Sequence, residues 1–142
     1  MFLLEFSMPM TGKSGFNADM PAIWLMNAQI PLTSQYGTNA DCSCWTSGCG
    51  EFDLFEILDT GNFRCKSTLH MAPAGGSSDY FDRPTKSTIK AAVVFTGSNE
   101  SASIHIIDDG QTFDGTLAES VVDGFTSQAT VKGASSLFKL SV

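Results

Sequence analysis

The sequence predicts an all-β protein of the β-sandwich type, and three observations predict it. Short apolar runs rich in Val, Ile, Phe and Thr recur along the 142 residues. Clusters of Gly, Ser, Asp and Asn interrupt them roughly every ten residues. No stretch of about 12 residues or more keeps an unbroken helical period.

The runs follow in order. Residues 2–6 form the first, ended by Pro9 and a turn at 11–15. Residues 22–30 form the second, between Pro21 and Pro31. A long polar loop at 33–50 holds Cys42, Cys44, Trp45 and Cys49. Residues 51–58 are the third run, closed by Asp59-Thr-Gly-Asn62. Residues 64–71 come next, then a Gly/Ser-rich loop at 73–78 that reads as a mobile flap. Runs at 88–95, 101–107, 129–132 and 137–140 complete the series, and residues 114–125 suit a short helix or a strand. The length predicts one domain, residues 1–142, around one core.

Composition narrows the function classes. Hydrophobic residues make up 42% and charged residues 16%, which excludes a disordered chain. The eleven Phe are expected in the core. A net charge of -7 without a Lys/Arg cluster makes a poor partner for polyanionic nucleic acid. A neutral polysaccharide fits such a surface better, although acidity also serves solubility alone. No apolar run reaches the ~18 residues a membrane span needs. The opening Met1-Phe-Leu-Leu is cut by Glu5 and reads as a strand rather than a signal peptide. Asn99-Glu-Ser101 is a glycosylation sequon, in keeping with secretion.

Cys42, Cys44, Cys49 and Cys65 are even in number and close in sequence, which predicts two disulfides in an oxidising compartment. A bridge between Cys42 and Cys44 strains the backbone. These two are therefore expected to pair with Cys49 and Cys65, in either order. A zinc site is disfavoured, because C-x-C-x4-C lacks the paired C-x2-C spacing.

Chemistry concentrates in Gly50-Glu-Phe-Asp-Leu-Phe-Glu56. Strand alternation points Glu51 and Asp53 to one face and Phe52 to the other. Strict alternation would turn Glu56 away. One β-bulge at Leu54 and Phe55 returns it to the acidic face. Like charges then raise one another's pKa and keep one carboxyl protonated near neutral pH. Retaining glycoside hydrolysis needs that division between a nucleophilic carboxylate and a carboxylic acid, about 5–5.5 Å apart.

Other residues divide between roles. Trp45 is a sugar platform or a ring packed on a disulfide. Trp24 is core, unless it faces a cleft beside Asp19. His70 orients a carboxylate or a sugar hydroxyl, or is structural. His105 alternates with Ile104 and Ile106 and is expected exposed. No G-x-S-x-G elbow occurs, and Gly75-Gly-Ser-Ser78 has no Lys or following helix to make a phosphate loop.

Gly50–Glu56 resembles the E-x-D-x-x-E signature of glycoside hydrolase family sixteen. Asp19-Met-Pro-Ala-Ile-Trp24-Leu resembles the W-P-A-x-W strand of that family, with Met20 where tryptophan is usual. Ser67-Thr-Leu-His70 resembles the segment that carries a histidine near the cleft. A closer resemblance is to the TOS-one-like glycosyl hydrolase domain of fungal cell-wall proteins. It is carried by the 15–25 stretch, Asp41-Cys-Ser-Cys-Trp45, Ser47-Gly-Cys-Gly-Glu-Phe-Asp53, Arg64-Cys-Lys-Ser-Thr-Leu-His70 and Ser78-Asp-Tyr-Phe-Asp-Arg-Pro84, and covers nearly the whole chain.

The resemblance implies a concanavalin-like jelly roll with a cleft on its concave sheet. Glu51 would be the nucleophile, Asp53 its helper and Glu56 the general acid/base. Trp45, Trp24, His70 and Asp19 would line the substrate site. The mechanism needs no metal or cofactor. The implied protein is a secreted, wall-located retaining hydrolase or transglycosylase acting on β-glucan. The alternative is a non-catalytic, lectin-like glycan binder of agglutinating, immunomodulatory or defence type, and a third reading is a structural wall protein. Because the resemblance is to the C-terminal part of the family domain, strands ahead of Phe2 are expected to be missing. That would leave a sheet edge open to homodimerisation.

Overall fold

The computed structural model describes residues 1–31, 42–44, 47, 49–71, 77–98, 100–113, 115–126 and 130–140. Trp45, Asn99 and residues 73–76 of the expected flap lie outside the described residues. The chain divides into two compact units, one built from residues 1–10 and 82–141 and the other from residues 11–81. Each holds one four-stranded sheet, and the fold is nearly all β, consistent with a β-sandwich.

The first unit orders its strands β1-β6-β7-β8: β1 is Phe2–Phe6, β6 Ile89–Thr96, β7 Ser101–Ile107 and β8 Ser135–Lys139. All three pairings are antiparallel. Alternation puts Ala91, Val93, Ala102, Ile104 and Phe138 on one face, where all are buried. The opposite face carries Ala92, Val94 and Ile107 beneath helix α1, Glu119–Thr126. Val121 and Phe125, four apart on one helical face, turn inward, and Leu117 just ahead of the helix packs with them. Ser103 Oγ donates a 3.1 Å hydrogen bond to the Phe125 carbonyl at the end of the helix, satisfying an acceptor the helix cannot.

The helix corrects the expectation for His105. Its ring lies 5.3 Å from that of Phe125 and is half-buried rather than exposed. Burial pushes its pKa down, with Asp108 opposing. The other departures are local. In the run expected at 129–132, residues 130–132 are described, and among them Val131 forms an isolated bridge to Ser135. The second run stops as a strand at Met26, and a strand begins at Ser77, inside the expected flap. Phe2, Phe16, Phe63 and Phe95 are exposed, so the Phe load is not confined to the core.

The second unit orders its strands β2-β3-β4-β5: β2 is Ala22–Met26, β3 Glu51–Glu56, β4 Arg64–His70 and β5 Ser77–Asp82. One face is apolar. Phe52, Phe55, Leu69 and Phe81 are buried there, and the rings of Phe55 and Phe81 lie 5.3 Å apart. The other face carries the acids.

Candidate active site

Strand β3 contains the bulge its sequence predicts. Against β4, Asp53 pairs with Thr68 and Glu56 with Lys66. Three steps on β3 therefore meet two on β4. Against β2, Trp24 pairs with Asp53 and Ile23 with Phe55, which skips Leu54. One extra residue has entered the ladder. Paired residues share a face, so Glu51, Asp53 and Glu56 stand together with His70, Thr68 and Lys66 of β4 and with Met26, Trp24 and Ala22 of β2. The buried Ser67 hydroxyl hydrogen-bonds the Leu54 carbonyl, so a backbone acceptor inside the bulge is satisfied by a side chain. Gly50 enters the strand at φ 90°, in the left-handed region that favours glycine.

Glu51 and Asp53 are buried, at 5% and 4% exposure, and Glu56 is half-buried. Burial raises the Asp53 pKa from 3.8 to about 7, helped by the charges of Glu56 and Glu51 and by a hydrogen bond with Glu51, and opposed by Lys66. Glu56 is pushed up by burial and by Glu51, again against Lys66. His70 Nε2 lies 3.0 Å from Asp53 Oδ2 and 3.9 Å from Glu51 Oε1. One donor atom from each of Glu51, Asp53 and His70 falls within 4.8 Å of the others, so the trio also has the dimensions to hold a cation.

Cys44 reaches this face. Cys42 is bridged to Cys49, one of the pairings left open by the sequence. The expected second bridge is absent: Cys44 and Cys65 are buried thiols. The sheet explains this. Cys44 hydrogen-bonds Glu51, on the acidic face, whereas Cys65 alternates with Lys66 and so belongs to the apolar face. Burial, then the bond to Glu51, raises the Cys44 pKa to about 12.

Trp24 is not a core residue. It is 37% exposed and directly opposite Asp53, on the acidic face. Asp19 is a buried turn residue at φ 56°, and its carboxylate accepts a 3.2 Å hydrogen bond from the Thr11 amide. The sequence reading missed Lys66, Thr68 and Cys44 as neighbours of the acids. Laying residues 64–70 antiparallel against 51–56 would have found the first two.

A family model described as cell wall protein YJL171C/Tos1, C-terminal, matches residues 1–125. Among curated proteins, the chain is 53% identical over 130 residues to a Saccharomyces cerevisiae protein named "Probable circularly permuted 1,3-beta-glucanase TOS1", covering 91% of this chain and 28% of that one. A Schizosaccharomyces pombe protein named as a "Probable circularly permuted 1,3-beta-glucanase" is 49% identical over 146 residues, with 96% and 29% covered. A Candida albicans protein carrying the same TOS1 name is 45% identical over 141 residues, with 91% and 29% covered. The chain therefore spans under a third of the length of these relatives. No solved structure matches it.

Proposed function

The chain belongs to the YJL171C/Tos1 family of cell wall proteins, within their C-terminal region, and from that premise we propose that it carries the catalytic acids of a retaining glycoside hydrolase or transglycosylase acting on β-1,3-glucan. The observation that carries the proposal is the register shift on β3, which gathers Glu51, Asp53 and Glu56 on one face.

In this reading Glu51 attacks the anomeric carbon while Glu56 gives its proton to the departing glycosidic oxygen. The glycosyl–Glu51 ester is then opened by water, or by a hydroxyl of a second glucan chain, and that group's proton returns to Glu56. The raised pKa of Glu56 suits it to hold the proton it must donate. Asp53 carries a proton up to about pH 7 and shares its hydrogen bond with Glu51, steadying the nucleophile. His70, 3.0 Å from Asp53, fixes that carboxyl in turn. Trp24, exposed beside Asp53, offers a ring on which a sugar stacks. None of these steps calls for a metal. A wall location accords with the family description, and secretion with the Cys42–Cys49 bridge.

The test is reducing-sugar release from laminarin, a β-1,3-glucan. Glu51→Gln is expected to lower the rate by about 10³-fold or more while the fold persists. The first-formed product of the native protein is expected to keep the β configuration. Inverted product, or full activity in Glu51→Gln, would overturn the assignment. The exposed Trp24 also serves a lectin-like protein. Laminarin binding without sugar release, equal in the native protein and Glu51→Gln, would establish that reading instead.

A further inference from the structure

We propose that Tyr80, held by Arg64, is a second sugar-stacking platform, so that a glucan chain lies across the strands of the acidic face between Trp24 and Tyr80. The inference rests on the glucan reading above and extends it from the reacting carboxyls to the polymer.

Two independent placements put Tyr80 on this face. Arg64 alternates with Lys66, Thr68 and His70 along β4, the residues that pair with the acids. Its guanidinium carbon lies 4.0 Å from the Tyr80 ring centroid, so the tyrosine shares that side of the sheet. Phe81, the next residue, is 2% exposed and packs on Phe55, whose partner Ile23 places it on the apolar face. Alternation along β5 then returns Tyr80 to the acidic side.

The arrangement has the physical properties of a binding platform. Tyr80 keeps 40% of its surface exposed, and Trp24 keeps 37%. Trp24 stands on the edge strand β2 and Tyr80 on the opposite edge strand β5, with the acids on β3 between them. Strands are spaced about 4.8 Å apart, which puts β5 about 10 Å from β3 on one side and β2 about 5 Å away on the other. Arg64 lies beyond Lys66, the partner of Glu56, whereas Trp24 is level with Asp53, so a polymer running obliquely across the sheet from Trp24 past Glu56 meets Tyr80 on the far side of the acids. The cation holds the Tyr80 ring in place, so less side-chain freedom is lost when a sugar settles on it. The Arg64 fork has further N–H donors for sugar hydroxyls.

The test compares long laminarin with a short chromogenic laminari-oligosaccharide. Tyr80→Ala is expected to raise KM for laminarin about tenfold, as expected for loss of one aromatic anchor. The kcat on laminarin and the kinetics on the short substrate are expected to stay near those of the native protein. Tyr80→Phe keeps the ring and is expected to bind laminarin normally, and Arg64→Leu to fall between. If the native protein cleaves laminarin and Tyr80→Ala does so with unchanged KM, the platform is wrong and the glucanase reading stands. An equal loss on both substrates with a lowered Tm marks a structural role and also overturns the platform. If the native protein neither binds nor cleaves laminarin, the glucan reading itself fails and takes the platform with it.

Discussion

Asp53 sets the pH behaviour of the site. Its pKa is raised from 3.8 to about 7, first by burial and then by Glu56 and Glu51. Between those values the unfolded chain has released the proton and the folded chain still holds it. The folded state binds more protons, so stability falls as pH rises through the window. The contribution is complete below about pH 4 and gone above about pH 7. Asp53→Asn is expected to remove this slope: Tm at pH 8 rises toward its value at pH 5, read by thermal melts at both pH values. Loss of the same proton is expected to lower glucan turnover in the native protein as pH rises past 7. Both assignments fail if the melts and the rates are flat from pH 5 to 8.

At the scale of the element, the bulged strand decides which side chains meet. Gly50-Glu-Phe-Asp-Leu-Phe-Glu56 displays the acids but not their partners. Those come from the register of β4, which brings His70 opposite Glu51, Thr68 opposite Asp53 and Lys66 opposite Glu56. The Ser67 hydroxyl on the Leu54 carbonyl ties the bulge to β4 from the apolar side. Ser67→Ala is expected to cost about 1 kcal/mol of stability by denaturant titration. Sugar release is expected to fall with it, because the position of Glu56 depends on the bulge. Unchanged stability would show that the hydroxyl does not hold the bulge.

At the scale of the whole molecule, the first unit is closed by contacts distant in sequence. β1 pairs with β6 across more than 80 residues of chain. Beside it, the buried Arg83 donates from Nε to the Met8 carbonyl at 2.8 Å and from Nη2 to the Pro9 carbonyl at 3.0 Å. The Met8 amide in turn donates to the Pro84 carbonyl at 2.8 Å. Arg83→Ala is expected to destabilise the protein by about 2–3 kcal/mol, since two charge-assisted bonds are lost and the carbonyl of buried Met8 is stranded. Arg83→Lys, which cannot fork, is expected to recover only part. An Arg83→Ala protein with native Tm would exclude the latch. The Cys42–Cys49 bridge closes a short loop, and reduction is expected to cost about 2–3 kcal/mol.

The local features are legible along the chain. Period-two alternation and turn residues marked β1, β3, β4 and β7 closely, and the E-x-D-x-x-E spacing announced its own bulge. The sequence could not decide what depends on partners from distant segments. His105 looked exposed because alternation says nothing about a helix laid over that face. Trp24 looked like core because an aromatic among apolar residues usually is, and only its register opposite Asp53 shows otherwise. Cysteine parity suggested two bridges, but the sheet puts Cys44 and Cys65 on opposite faces. Backbone geometry repeats over two residues and can be read along the chain. Facing surfaces are chosen by long-range pairing, and only the tertiary structure reveals that choice.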